Sequence, residues 1–174
     1  NYSLTSTSQI VYTPTDLSQV LKEVTHNLRE MIEDNQVVIE VSSLPVLNII
    51  PHQFNQLFYN LISNAIKYRK PGTTAVIKID AVPAAGNDLP KDQQFQQGAY
   101  WKISIADNGM GFDQQYATGI FELFQRLHPR SAYEGTGIGL AICKQIVQNH
   151  QGFITATGQN GVGSVIDVYL PKVK

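Results

Sequence analysis

The chain has 174 residues, with 13 basic and 14 acidic side chains and a formal net charge of −1. This length suits a single domain with a sizeable core, and the balanced net charge excludes a strongly basic chain of the kind that is attracted nonspecifically to nucleic acid or an anionic membrane. The single cysteine excludes an internal disulfide. No apolar run has the length of a membrane-spanning helix, so we expect a cytoplasmic domain, whose parent protein could be attached to a membrane.

The first half of the chain predicts strands and helices in alternation. A short strand is expected within QIVYTP, and apolar residues then recur at three- and four-residue steps over residues 17–32, which predicts an amphipathic helix beginning near residues 15–16. QVVIEVSSLPVLNII predicts two short strands around a turn at 42–45. Pro51 can begin the next helix. The apolar face of that helix comprises Phe54, Leu57, Phe58, Leu61, Ile62, Ala65 and Ile66.

The second half predicts a sheet and one more helix. TAVIKIDAV and AYWKISIAD are typical of strands, and the polar loop between them, residues 83–98, is expected to be a variable and mobile surface insertion. GTGIGLAICKQIV predicts a helix led by glycines, and GFITATGQNGVGSVIDVYLP predicts a hairpin that turns near 161–163. The simplest packing is two layers, with a mixed or antiparallel sheet on one side and helices on the other.

Polar residues form a line along the second predicted helix. Asn60, Asn64 and Lys67 are spaced at i, i+4 and i+7, with Tyr68 beside them. A solvated helix face would explain this pattern. Asparagine is a mediocre helix former, however, and two of them in mid-helix weaken that interpretation without excluding it. An amide oxygen can bind Mg²⁺, and a lysine can neutralise phosphate.

Two glycine-containing segments follow the strands. ADNGMGFD contains Asp107, Gly109 and Gly111, and it is either an ordinary turn or a site where the carboxylate accepts a hydrogen bond from an exocyclic amine. In GTGIGLAICKQIV the glycines precede a helix start, where backbone amides bind anions. Its spacing matches neither a P-loop nor a dinucleotide motif. The intervening GIFELFQRLHPRSAYE is either a lid over a nucleotide or an ordinary loop.

Taken in this order, four segments resemble the N, G1, F and G2 boxes of sensor histidine kinases. They are FNQLFYNLISNAIKYRKP, DNGMGFD, IFELFQRL and GTGIGLAICKQIV. The resemblance covers nearly the whole chain. It implies the catalytic and ATP-binding domain of that family, an α/β (α+β) two-layer sandwich of the Bergerat type, in which a mixed, mostly antiparallel sheet packs against three helices.

The resemblance also implies roles for individual residues, with ATP and Mg²⁺ as ligands. Asn64 resembles the Mg²⁺ ligand, with Asn60 beside it, and Lys67 resembles a phosphate contact. Asp107 resembles the acid that binds the adenine amino group, and Tyr68 the aromatic residue that packs near the nucleotide. The remaining implied contacts are Gly109 and Gly111 at the adenine pocket, Arg126 at the terminal phosphate, and Gly135, Thr136, Gly137, Gly139 and Leu140 around the phosphates.

Asn60 and the histidines bear on two questions: whether ATP is hydrolysed or its phosphoryl group transferred, and whether the acceptor histidine lies in this chain. Relatives that hydrolyse ATP carry a glutamate where this chain has Asn60, and an amide is not a general base, so transfer to another nucleophile is favoured. His26 in THNLREM is not the expected phosphoacceptor, because Asn27 replaces the assisting acid and Met31 the usual proline.

The phosphoacceptor histidine and its dimerisation helices are therefore expected upstream. We expect residues 1–14 to form a linker and first strand from that hairpin, and residues 15–174 to form the catalytic domain. The isolated domain is then a monomer, its parent a homodimer, and a response-regulator receiver domain the downstream acceptor.

The sequence is also compatible with three other functions. One is a degenerate nucleotide-binding module that serves as a docking surface, since binding does not prove transfer. Another is a serine kinase of the anti-sigma type, which shares the boxes. An ATP-driven machine of the chaperone or topoisomerase kind is disfavoured by Asn60 and by the short chain.

Overall fold

Helices and strands follow one another closely in the computed structural model, which describes residues 10–122 and 139–172. We number them in chain order. They are β1 (Thr13–Asp16), α1 (Leu17–Asn27), α2 (Arg29–Asp34), β2 (Val38–Val41), β3 (Val46–Ile49), α3 (Pro51–Lys67), β4 (Val76–Ala84), β5 (Tyr100–Asp107), α4 (Gly139–Asn149), β6 (Phe153–Gln159) and β7 (Gly163–Pro171).

A five-stranded mixed sheet with the order β2-β4-β5-β7-β6 forms one layer. Of the described strands in this sheet, β2 and β4 pair in parallel and the other neighbours are antiparallel. Apolar residues of α1, α3 and α4 pack together with those of β4, β5 and β7 in one core. The predicted two-layer fold is therefore confirmed.

The central helix α3 follows its sequence pattern closely. Pro51 occupies its first turn, where the missing N–H costs nothing. All seven residues of the predicted apolar face are buried. Phe54 and Phe58 meet edge to face with ring centroids 6.1 Å apart.

The first predicted helix is interrupted. Asp16 caps α1 by accepting the amide of Ser18 at 2.9 Å. At Leu28 the backbone reaches ψ 7°, which ends α1, and the short helix α2 follows. Leu28 itself is buried in the core, so the apolar period continues across the break. In residues 10–122 and 139–172 the layer thus holds three longer helices, as predicted, and one additional short one.

The two strands predicted around the turn at 42–45 are present but do not pair with each other. β2 joins the large sheet beside β4, whereas β3 pairs with β1 in a separate two-stranded sheet. β1 spans residues 13–16 and so crosses the boundary expected between residues 14 and 15. Just before it, the Tyr12 hydroxyl donates to the carbonyl oxygen of Asn149 at 2.6 Å.

The loop between β4 and β5 is more ordered than an unattached insertion. It contains two short 3₁₀ helices, Gly86–Asp88 and Lys91–Gln93. Leu89 is buried against Tyr100 and Tyr169, which anchors the loop to the sheet. Within the described residues, no helix has both the length and the apolarity needed to cross a bilayer.

Candidate nucleotide-binding site

The polar line of α3 is not a freely solvated face. Asn60, Asn64 and Lys67 are each half-buried, whereas the neighbouring side chain of Tyr59 is 40% exposed. Helical spacing brings the three polar residues to one side of α3. This side therefore borders other parts of the protein.

Asn60 connects α3 to the start of α4. Its Nδ2 donates to the carbonyl oxygen of Gly139 across 3.4 Å, and its side chain also hydrogen-bonds the thiol of Cys143. That thiol donates to the carbonyl oxygen of Leu57 at 3.9 Å, and burial raises the pKa of Cys143 to about 12. The polar line of α3 thus meets the last glycine of the glycine-rich segment.

The turn after β5 packs on the C-terminal end of α3. The amide of Met110 donates to the carbonyl oxygen of Tyr68, the residue that caps α3, at 2.9 Å. A Cβ at Gly109 would lie 2.6 Å from that same oxygen. Only glycine permits such a close backbone approach, so this turn and α3 are held in fixed positions relative to each other.

Asp107 ends β5 with both carboxylate oxygens engaged. Oδ1 accepts the amide of Gly109 at 2.9 Å, and Oδ2 accepts the hydroxyl of Ser164 at 2.7 Å. Burial raises the pKa of Asp107, and hydrogen bonds from the Ser164 side chain and from the backbone of Gly109 and Ser164 act in the opposite direction. Each carboxylate oxygen has a further lone pair, so the group can still accept a hydrogen bond from a ligand amine.

The hairpin between β6 and β7 closes over this turn. Gly111 has φ 67°, and a Cβ there would lie 2.0 Å from the carbonyl oxygen of Gln159. Gly163 has φ 147°, and a Cβ there would lie 2.0 Å from the carbonyl oxygen of Asp107. Both positions therefore require glycine, because neither the conformation nor the space admits a side chain.

Sequence reasoning missed three side chains that support these residues. Ser164 holds Asp107, and Cys143, predicted only as a buried apolar residue, contacts Asn60. Asn108 accepts the amide of Val76 at 2.8 Å and donates to the carbonyl oxygen of Thr74 at 2.9 Å. The turn signal D-N-G drew attention to Asn108 alone. The partners of the other two are distant in sequence, so no local pattern indicates these contacts.

The structure brings together part of the predicted site. Asn60 meets Gly139, Tyr68 meets Gly109, and Gly109 meets Asp107. Leu140 lies in the first turn of α4, with its side chain packed against the core. The other predicted phosphate contacts lie outside the described residues; they are Arg126, Gly135, Thr136 and Gly137.

Amide oxygens are the candidate metal ligands. Within residues 10–122 and 139–172, no group of three or more His, Cys, Asp or Glu side chains could hold a metal ion. The Asn60 amide donates through its nitrogen to Gly139, which leaves its oxygen available. Mg²⁺ prefers oxygen ligands and commonly takes few from the protein, with water and substrate phosphates completing its shell. Asn60 and Asn64 fit this chemistry.

Comparison with known proteins places this chain in a family. The profile described as "Histidine kinase-, DNA gyrase B-, and HSP90-like ATPase" matches residues 49–174, and the chain belongs to that family. Phytochrome-like protein Cph1 from Synechocystis sp. is 37% identical over 98% of this chain and 21% of that protein. The adaptive-response sensory kinase SasA from Synechococcus elongatus is 34% identical over 94% of this chain and 38% of that protein.

Solved structures agree with the sequence comparison. A mycobacterial sensor histidine kinase, MprB, superposes with a TM-score of 0.69 at 25% identity and covers 92% of this chain and 97% of that one. The catalytic domain of histidine kinase ThkA gives a TM-score of 0.70 at 23% identity, over 94% and 99%.

These findings identify the chain as the catalytic, ATP-binding domain of a two-component sensor histidine kinase. The chain spans about a fifth of the length of the cyanobacterial phytochromes that it matches, and thus corresponds to one part of multidomain sensor kinases.

Proposed function

We propose that this domain binds ATP with Mg²⁺ and transfers the γ-phosphate to a histidine on an upstream dimerisation domain of its parent protein. The observation that carries the proposal is a continuous chain of contacts. Asp107 holds Gly109, the turn packs on Tyr68 at the end of α3, and the same helix reaches Gly139 through Asn60. The carboxylate of Asp107 therefore lies near the C-terminal end of α3, and the side-chain amides of Asn60 and Asn64 lie along the same helix.

The adenine end of the proposed site is the turn after β5. Asp107 accepts a hydrogen bond from the exocyclic amine of adenine, and Gly109 and Gly111 shape the adenine pocket by letting the turn pack closely on Tyr68 and Gln159. Tyr68 packs near the nucleotide. The close approaches at the two glycines support this assignment, because they keep the turn in one conformation before the ligand arrives.

The phosphate end lies along α3 and the start of α4. Asn64 and Asn60 would hold Mg²⁺, which neutralises phosphate charge, and Lys67 would contact a phosphate oxygen. We extend the site to Arg126 at the terminal phosphate and to backbone amides of the glycine-rich segment. That segment comprises Gly135, Thr136, Gly137, Gly139 and Leu140.

The chemistry is a phosphoryl transfer to nitrogen. A neutral imidazole nitrogen bonds to the γ-phosphorus while the bond from phosphorus to the bridging oxygen breaks, and ADP leaves with that electron pair. Lys67 and Arg126 stabilise charge on the transferring group. Asn60 cannot take a proton from water, so hydrolysis has no general base at this position.

The parent protein supplies the other participants. We propose that residues 1–14 lead from a dimerisation domain that carries the phosphoacceptor histidine, and that residues 15–174 form the catalytic domain. A response-regulator receiver domain would accept the phosphoryl group next. The domain alone would be monomeric, the parent homodimeric, and the site would face the cytoplasm, where ATP is available. Full-length ShkA, which shares the fold with a TM-score of 0.72, is known in complex with AMPPNP.

Nucleotide binding is tested first by thermal shift of this chain with ATP or GTP, each with and without Mg²⁺. A ligand that binds only the folded state raises the melting temperature. We expect a shift that is selective for ATP and larger with Mg²⁺. No shift at millimolar ATP would contradict the proposal and favour a docking module without nucleotide.

Transfer is tested with the parent protein and ATP labelled at the γ-phosphate. We expect acid-labile, base-stable label on the parent and none on the isolated chain of residues 1–174. Label on the isolated chain would place the phosphoacceptor within it, and acid-stable label would indicate a hydroxyl acceptor.

A further inference from the structure

The outer edge of β6 has backbone groups directed away from the sheet. Among the strands that the structure describes, β6 is terminal and pairs with β7 alone. In an antiparallel ladder, alternate residues direct both backbone groups towards the partner strand and the others direct them away. The backbone groups of Ala156 and Gly158 bond to a side chain outside the sheet. Ile154 is two residues before Ala156, so its backbone N–H and C=O are also directed away from β7.

The carboxamide of Gln114 occupies part of this edge. Its Oε1 accepts the amide of Gly158 at 2.9 Å, and its Nε2 donates to the carbonyl oxygen of Ala156 at 3.4 Å. A residue in a neighbouring strand makes the same kind of paired bonds, one donated and one accepted. The edge therefore already binds one amide in the manner of an added strand.

Further hydrogen-bonding groups remain along the same edge. Within the part of the chain that the structure describes, nothing hydrogen-bonds the outward N–H of Ala156 or the N–H and C=O of Ile154. A row of such groups is a template for another strand. If Gln114 moves aside, the row extends from Ile154 to Gly158.

A groove runs along this edge and has walls on both faces of the sheet. Gln93 and Gln96 of the β4–β5 loop line one wall, and Phe121 and Gln148 line the other. The charged residues of the groove balance: Lys144 pairs with Glu122 at 3.8 Å. Lys91 is likewise next to Asp92 in the sequence, and both line the groove.

We propose that the outer edge of β6 is a peptide-binding site that takes an extended, uncharged segment of a partner protein as an additional strand. The main-chain groups of residues 154–158 supply affinity, and the two walls select side chains at alternate positions. The balanced charge and the glutamines disfavour a strongly acidic or basic peptide. Because residues on either side of the edge line the groove, a peptide fits it more readily than the sheet edge of a second folded domain. This site does not depend on nucleotide binding.

The experiment is a selection of random displayed heptapeptides on the chain of residues 1–174. Selected sequences are synthesised, and their binding is followed by amide hydrogen exchange. We expect selected peptides that slow exchange at the amides of Ile154 and Ala156. Copies of the same peptides that are N-methylated at alternate residues should bind about tenfold more weakly or not at all, because they lose backbone donors.

Two variants of the protein locate the site. Ala156→Pro removes an outward N–H without breaking a bond of the ladder to β7, a change that an edge strand tolerates, and should weaken binding about tenfold. Gln114→Ala removes the competing amide and should strengthen binding about fivefold, whereas Gln115→Ala, at an exposed neighbour, should leave it unchanged. The proposal is wrong if the selection yields no binder, if binders protect other amides, or if N-methylated copies bind equally well.

Discussion

Asp107 stands at the end of β5, where burial makes its ionised carboxylate a cost to folding. Burial raises the pKa of Asp107, so the folded state holds a proton more tightly than the unfolded state. As pH rises above about 4 and through the folded pKa, ionisation of Asp107 therefore lowers the free energy of unfolding. At neutral pH the ligand-free protein carries this cost.

We predict that Asp107→Asn weakens ATP binding without lowering the stability of the fold. The amide presents a donor where the adenine amine needs an acceptor, so ATP affinity measured by calorimetry should fall about tenfold or more. An asparagine can still accept from Gly109 and can donate to the hydroxyl of Ser164. The melting temperature without nucleotide should therefore stay the same or rise. Equal ATP affinity in the two proteins would remove Asp107 from the site.

Asn64 provides the second prediction at this scale. If its amide oxygen binds Mg²⁺, Asn64→Ala should abolish the increase in ATP affinity that Mg²⁺ causes in the wild type, as measured by calorimetry at several Mg²⁺ concentrations. Asn55→Ala is the matched control. Asn55 is on α3 and donates to Glu23 at 3.1 Å, nine residues before Asn64 and so on the opposite side of the helix. An unchanged Mg²⁺ dependence in Asn64→Ala would move the metal site elsewhere.

Among the elements, the hairpin of β6 and β7 contributes most to shaping the turn after β5. The amide of Gly161 donates to the carbonyl oxygen of Met110 at 2.8 Å, and the backbone at Gly111 passes close to Gln159. The last residues of β6 and the first of β7 thus form part of the candidate site, although no side chain in the hairpin sequence indicates it.

We predict that Gly111→Ala lowers the free energy of unfolding by about 3 kcal/mol or more. The methyl group would meet the carbonyl oxygen of Gln159, and alanine is also strained at the positive φ of this position. Gly161→Ala is the control, because Gly161 has a similar φ of 77° but open space around it, so it should cost about 1–2 kcal/mol. Urea denaturation of both variants measures the difference. Equal losses would mean that conformation alone, and not contact with β6, requires Gly111.

At the scale of the whole molecule, His150 at the end of α4 contacts the segment before β1 and the start of α3. Its Nε2 accepts the amide of Ile50 at 3.0 Å, and its Nδ1 donates to the carbonyl oxygen of Ile146 at 2.7 Å. The ring lies edge to face with Tyr12 and Phe54, at centroid distances of 5.5 and 4.8 Å. Because Nε2 must accept a hydrogen bond, the ring is neutral in this structure, and burial lowers the pKa of His150.

A pH dependence of stability follows. Below pH about 6.5 the unfolded chain protonates this histidine while the folded chain does not, so the contribution of His150 is complete above that pH and decreases as the pH falls towards the folded pKa. We predict that the difference in unfolding free energy between wild type and His150→Gln shrinks from pH 7.5 to pH 5. His52→Gln, at the exposed start of α3, controls for the loss of a surface histidine.

Urea denaturation across this pH range measures the difference. If His150→Gln does not fold, the ring resonances of His150 in the wild-type NMR spectrum provide the same test, since they should titrate below about pH 6.5. A difference that is independent of pH, or a ring that titrates above that value, would contradict the prediction.

Local patterns were sufficient to predict much of this protein. The apolar period of α3, the strand composition of β4 and β5, and the turn signals of the final hairpin each depend on neighbours within a few residues. The order of the four sequence boxes was sufficient for the family. These features can be predicted because the helical period, the strand period and the conformation of glycine each depend on residues that are close in sequence.

Tertiary structure alone decided which of these pieces meet. The break at Leu28, the pairing of β3 with β1 instead of β2, the bond from Ser164 to Asp107 across 57 residues, and the packing of His150 between Tyr12 and Phe54 depend on contacts distant in sequence. No residue pattern near either partner records such a contact, because its free energy arises only when the core closes and both groups lose water together.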